Sequence, residues 1–282
     1  MTSQENIIDS IEKFSKALGA FDTFGSRTVY RGQSCDWPLV PKLYRIPYIP
    51  EAARNLRYLE EELLTDFENQ AKPFVQSIPE NKLEWIALAQ HHGLPTRLLD
   101  WTQNPLVALF FAVDHLNQDD LTLKEDGVVW VLSTHLAQSR FFKTLSDIDK
   151  VEPNGLLYFP AHINPRISAQ HSCFTLHQQS GKWGAIPLEQ EELGGSFTRQ
   201  MRKLVIPADK KVLLRNELDK LGINYFTIFP DLTGLCKKLE WKLYNHPGNK
   251  IKSTDNADLP SAIYIPDYLW NPRTRREEGE SD

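Results

Sequence analysis

Residues able to do chemistry gather in two stretches. One is Tyr30-Arg31-Gly32-Gln33; the other runs from Gln90 to Thr102 and holds His91, His92, Thr96, Arg97, Asp100 and Trp101. An arginine beside a glycine suits an anionic ligand, because the planar guanidinium fork donates two hydrogen bonds at once and a missing Cβ opens the backbone to close approach. The same arginine serves equally well in an ion pair to an acidic side chain. The second stretch leads directly into Leu106–Val113, apolar on every side and too short to span a membrane, hence a buried helix. Polar side chains placed against a core need partners or a ligand. The stretch is therefore a binding site or a dense structural network.

Thr96 to Trp101 alternates as a strand does, with Arg97 and Leu99 on one side and Leu98 and Asp100 on the other. An Arg97–Asp100 pair with Trp101 as a lid would be either a pocket or a fixed core ion pair. His91 and His92 are adjacent, point in different directions on a helix, and have no carboxylate or cysteine at ligand spacing, so no metal site is predicted. One histidine is expected to cap the helix and the other to be solvated. The chain has no Gly-x-x-x-x-Gly-Lys-Ser/Thr, Gly-x-Gly-x-x-Gly, Gly-x-Ser-x-Gly or His-Glu-x-x-His pattern. That argues against Walker-type nucleotide hydrolases, Rossmann oxidoreductases, α/β-hydrolases and zincins.

The elements that must position these groups follow from periodicity. Residues 2–19 read as a helix with a Thr2/Glu5 capping box, 28–32 as a short strand, and 36–45 as an irregular loop rich in prolines, aromatics and basic residues. Residues 51–72 form an amphipathic helix, 83–92 a helix ended by Gly93, and 105–116 the buried helix, with Asn104 as N-cap and Pro105 in its first turn. Strands are expected at 127–133 and 156–159, with period-2 hints over 167–177, and a glycine-rich excursion at 178–196. A strand at 204–206, a helix at 209–221, a strand at 225–229 and a last helix at 231–241 suggest a crossover or helices laid on a mixed sheet. The expected fold is α+β: one domain over residues 1–245 with a mixed central sheet, a helical N-terminal part and flanking helices. Residues 246–282 are expected to be an extension whose last dozen residues are disordered.

With 282 residues, 41% of them hydrophobic and 24% charged, the chain can bury a sizeable core. A formal charge of -5 argues against an extended nucleic-acid-coating surface and leaves room for a local basic groove. Three scattered cysteines, the lack of a signal-peptide pattern and the absence of a membrane-length apolar run point to a cytoplasmic protein with no membrane association.

Several of these pieces together resemble the FRG domain, a bacterial family named for an aromatic-Arg-Gly motif. They are Tyr30-Arg31-Gly32-Gln33, Trp37 with Pro41–Arg45, Gln90–Thr102 with Asn104-Pro105 and Ala108–Ala112, Arg166–Gln170 with Phe174-Thr175, and Phe229–Leu232 with Gly234-Leu235. The resemblance spans roughly residues 20–240. More loosely, the Tyr30-Arg31-Gly32 strand, and a strand at Thr96–Thr102 followed by a buried helix, are similar to motifs of Arg-Ser-Glu type ADP-ribosyltransferases. The chain departs from those enzymes in lacking a Ser-Thr-Ser triplet.

That resemblance implies NAD as substrate and an ADP-ribosyltransferase-like fold. Arg31 or Arg97 would hold the pyrophosphate, the Gly32 backbone the nicotinamide amide, and Asp100 or Gln170 the ribose hydroxyl and the developing positive charge, with Gln170 in place of the usual glutamate. Tyr30 or Trp101 would stack on a ring, and Gln33, His91 and Thr96 would complete the ligand shell. The activity implied is a toxin or phage-defence effector that modifies a protein or single-stranded nucleic-acid acceptor and is restrained by a neutralising partner. A non-catalytic nucleotide- or RNA-binding module and a His91- or His92-dependent phosphodiesterase or nuclease are the alternatives.

Overall fold

Six strands form an antiparallel sheet in the order β4-β5-β2-β1-β3-β6. They are β1 (Arg27–Gln33), β2 (Leu98–Thr102), β3 (Gly127–Thr134), β4 (Leu157–Tyr158), β5 (Ser172–Leu176) and β6 (Arg199–Ile206). The structure is a computed structural model, and it describes residues 6–19, 27–46, 56–75, 77–114, 124–134, 157–160, 169–177, 187–190 and 199–244. The chain divides into two units, Met1–Tyr244 and Asn245–Asp282, and all described residues belong to the first. The Thr2/Glu5 capping box, most of the 178–196 excursion and the C-terminal extension lie outside the described residues.

The helices are α1 (Ile11–Gly19), α2 (Leu56–Ala71), α3 (Lys82–His91), α4 (Pro105–Val113), α5 (Lys211–Lys220), α6 (Tyr225–Ile228) and α7 (Leu232–Tyr244). Helix and sheet thus combine in an α+β fold, as expected. The sheet, however, is not mixed. Among the described residues every ladder is antiparallel, and the one parallel contact is the isolated bridge Ile7↔Val205. The expected strand over 225–229 is instead the helical turn α6. Asn224 accepts from the backbone N–H of Phe226 (3.1 Å) and Thr227 (3.2 Å), while the Thr227 hydroxyl accepts from the Asn224 N–H (3.0 Å). That reciprocal cap satisfies the free backbone groups of a helix start, and it outweighs the β-propensity of Tyr-Phe-Thr-Ile-Phe.

Both faces of the sheet are covered. Val129 and Val131 of β3 face a core shared with α1, α4, α5, α6 and α7, whereas Val128, Trp130 and Leu132 face a second core with Val29, Leu99 and Trp101. A strand buried on both sides reads as an unbroken apolar run, as β3 does. A third cluster joins α2 and α3 to Leu98, Phe174 and Leu176. Helix α4 begins as predicted: Asn104 Oδ1 accepts from the Leu106 N–H at 3.0 Å and Pro105 opens the helix. It lies so close to β1 that a Cβ on Gly32 would sit 1.8 Å from the Ala108 carbonyl oxygen. Packing against α4 thus fixes glycine at position 32. No helix among the described residues is long and apolar enough to cross a membrane.

Candidate functional site

Strands β1 and β3 pair along the whole of β1, and β2 and β5 along the whole of β2, but β1 and β2 share only the pair Tyr30↔Thr102. Beyond that point the ladder is replaced by a side chain. Arg31 reaches across and its Nη1 donates to the Asp100 carbonyl at 2.8 Å. A cleft of about 390 Å³ opens beside this gap, within the size range of small-ligand sites.

Its floor and walls come from distant parts of the chain. Strand β1 contributes Tyr30, Arg31 and Gly32, and β2 contributes Asp100 and Thr102. The α3 terminus brings Gln90 and His91. That terminus is shaped by Gly93 in the left-handed region (φ 94°), with Gly93 N–H donating to Gln90 O (2.8 Å) and Leu94 N–H to Ala89 O (3.0 Å). Lys42 and Arg45 arrive on a single 3-10 turn, Lys42–Arg45, pinned by Leu43 N–H donating to Thr96 O (3.2 Å) and Lys42 Nζ to Gly93 O (2.8 Å).

The charge in the cleft is unbalanced. Arg31, Lys42 and Arg45 face it, and among the described residues Asp100 is the one acid that lines it. Burial pushes the Arg31 guanidinium down from its ordinary value, nearby Asp100 pushes it back up, and Arg45 pushes it down again. Arg31 Nε is buried with no hydrogen-bond acceptor among the described residues. The Arg31–Asp100 carboxylate separation is 3.7 Å and the Asp100 side chain is 60% exposed, so the pair neutralises little by itself. Such a concentration of cations favours an anionic ligand.

Asp100 Oδ1 accepts from Gln90 Nε2 at 2.7 Å. Gln170 also lines the cleft; its carbonyl accepts from the Thr102 hydroxyl (2.6 Å) and its amide donates to Ile228 O (3.4 Å). The next residue, His171, has φ 47°, an uncommon conformation for a residue with a side chain, at the turn that delivers Gln170 to β5. Among the described residues no group of three or more His, Cys, Asp and Glu side chains gathers as a metal site.

Arg31, Asp100, Gln170, Tyr30, Gly32 and His91 thus border one cleft although they lie far apart in sequence. Four other residues expected in the ligand shell sit elsewhere or differently. Arg97 is 3% exposed and belongs to the core, where its backbone N–H (2.9 Å) and its Nε both donate to the buried Glu60. It does not pair with Asp100 because it precedes β2 and points back toward α2. Trp101 also lines the cleft, but as a buried side chain rather than a lid, and its indole N–H donates to the Thr175 hydroxyl at 2.9 Å. Thr96 is fully buried behind Gln90, and Gln33 is buried outside the cleft. Sequence reasoning passed over Lys42, Arg45 and Gln90 as site residues. A basic pair three apart on a proline-flanked turn is a weak signal, and nothing in it shows that the turn folds onto α3.

Residues 26–121 match the family model of the FRG domain. This stretch is an FRG domain. It runs from just before β1 through α4 and so contains Arg31, Lys42, Arg45, Gln90, His91 and Asp100, while Gln170 lies outside it. The FRG domain therefore supplies most of the cleft, and the part of the chain beyond it closes the remaining side. No curated protein and no solved structure matches the chain.

Proposed function

We propose that the cleft of the FRG domain binds NAD and transfers its ADP-ribose group to a protein or nucleic-acid acceptor. The observation that carries this reading is the Arg31 guanidinium set across the gap between β1 and β2 with the Asp100 carboxylate beside it. Arg31, with Lys42 and Arg45, supplies the positive field for a pyrophosphate. Asp100 supplies the acceptor for a ribose hydroxyl and the negative charge that favours a cation-like sugar. Tyr30, half-buried at the cleft edge, offers a ring against which a base can pack.

In the proposed reaction the bond between ribose C1′ and the nicotinamide nitrogen breaks, and its electron pair leaves with nicotinamide. Positive charge develops at C1′ and the ring oxygen, as in glycoside cleavage. The acceptor's nucleophilic atom forms the new bond to C1′, and its proton passes to Asp100 and on to water. Asp100 is the one carboxylate in the cleft among the described residues, which also favours a second reading: a nucleotide-binding module that transfers nothing.

Calorimetry with NAD and ADP-ribose, run beside an assay of nicotinamide release and label transfer in cell extract, separates these readings. Binding with transfer that Asp100→Asn abolishes is the expected result. Binding without transfer in any extract or with RNA favours the module. No binding of either nucleotide overturns both.

A further inference from the structure

Behind the cleft wall a series of hydrogen bonds runs in one direction. The Leu98 N–H donates to Thr96 Oγ1 at 3.2 Å, the Thr96 hydroxyl donates to Gln90 Oε1, and Gln90 Nε2 donates to Asp100 Oδ1 at 2.7 Å. The chemistry fixes that direction at both ends. A backbone N–H only donates, so the Thr96 oxygen accepts from Leu98 and its own hydrogen remains for Gln90. The reversed amide would set Oε1 against a carboxylate oxygen at hydrogen-bond distance, two acceptors with no proton between them. Thr96 is fully buried, so water does not compete for its hydroxyl. Gln90 is therefore left with one orientation.

We propose that Gln90, locked by Thr96, is a positioning residue that holds Asp100 in the cleft as a fixed hydrogen-bond acceptor; the consequence for ligands rests on the reading of Asp100 as the group that meets a ribose. A carboxylate 60% exposed on a strand would otherwise swing freely in solvent. Gln90 anchors Oδ1, Arg31 anchors the carbonyl of the same residue, and Oδ2 lies 3.7 Å from Arg31. The remaining lone pairs then face the cleft in one geometry. Displacing such a group by about 1 Å is enough to cost on the order of 100-fold in a reaction.

The test uses the full chain and two readouts. The first needs no ligand: the side-chain amide resonances of Gln90 in a ¹⁵N–¹H spectrum, assigned by their loss in Gln90→Ala. They are expected to be shifted and slow to exchange with water in the unsubstituted protein and in Thr96→Ser, which keeps the hydroxyl. In Thr96→Val they are expected to move to ordinary exposed-glutamine values with fast exchange. The second readout is ADP-ribose binding, expected to weaken about tenfold or more in Thr96→Val and Gln90→Glu and to be retained in Thr96→Ser. Gln90 resonances that do not differ between Thr96→Val and Thr96→Ser overturn the lock, as does ADP-ribose binding that all three variants leave unchanged. If the resonances respond as expected but the unsubstituted protein binds no ADP-ribose, the lock stands and the NAD reading falls.

Discussion

Arg31 donates to the backbone carbonyl of Asp100 at 2.8 Å, while its nearest approach to the carboxylate of the same residue is 3.7 Å. The guanidinium thus fastens two strands where their ladder has stopped, and it leaves the carboxylate to Gln90 and to the cleft. A strand junction and a candidate ligand group share one side chain.

Arg31→Lys and Arg31→Ala should therefore differ in one measurement and agree in another. Both lose the fork, so both should bind ADP-ribose at least about tenfold more weakly than the unsubstituted protein. The lost charge-assisted hydrogen bond is worth roughly 1–3 kcal/mol, a few degrees in Tm, with lysine the less damaging. Calorimetry with a thermal melt checks both. Full ADP-ribose binding in Arg31→Lys would remove Arg31 from the site.

Glu60 and Arg97 form a pair whose side chains are 1% and 3% exposed. Removing one partner leaves a buried charge alone, at a cost of about 3–5 kcal/mol, whereas an apolar pair of similar volume can be neutral or stabilising. Urea unfolding of Glu60→Met, Arg97→Met and the double variant should show two destabilised singles and a recovered double. Additive losses in the double would mean that the pair is not the unit.

Arg215 is fully buried on the helical side of the sheet. Its guanidinium lies 4.2 Å from the ring centre of Phe110, 4.6 Å from Trp241 and 5.0 Å from Tyr225, and none of its nitrogens has a hydrogen-bond acceptor among the described residues. Burial pushes it down from its ordinary value, while Asp114, Tyr225 and Asp219 push it up. Arg215→Ala should cost about 2–5 kcal/mol through the cavity it leaves. Arg215→Met fills the space without a desolvated charge and should come within about 1 kcal/mol of the unsubstituted protein or exceed it. Denaturant midpoints decide. A methionine variant as unstable as alanine would show that the cation–ring contacts dominate.

Burial raises the Cys173 thiol, and nearby Asp100 adds to the shift. A group raised on folding keeps its proton in the native state, so its stabilisation is complete below the unfolded thiol's range, about 8.5. As pH climbs above that range toward the folded value, the unfolded chain loses the proton first and stability falls. Cys173→Val should reduce the decline in denaturation midpoint between about pH 8 and pH 10. In the native protein at pH 8 a thiol reagent should label the exposed Cys236 and spare Cys173, as mass spectrometry of digests would show. Labelling of Cys173 at the same rate as Cys236 would contradict its placement.

Local chemistry alone determined a good part of this protein. The Asn104-Pro105 start of α4, the Gly93 end of α3, the unbroken apolar run of β3 and the polar block that leads into a buried helix were legible because each depends on neighbours in sequence. Tertiary structure decided the rest. Tyr-Phe-Thr-Ile-Phe carries a strand's propensities and becomes α6 because the Asn224–Thr227 cap and the pocket around Tyr225 outweigh them. Asp100 and Arg97, three residues apart, separate because Glu60, 37 residues before Arg97, claims the arginine inside the core. Gly32 was legible as a place of close approach but not for what approaches, which is α4. Lys42, Arg45 and Gln90 enter the cleft only through contacts between distant segments, and sequence spacing does not encode which charged group a fold will bury and which it will leave facing a ligand.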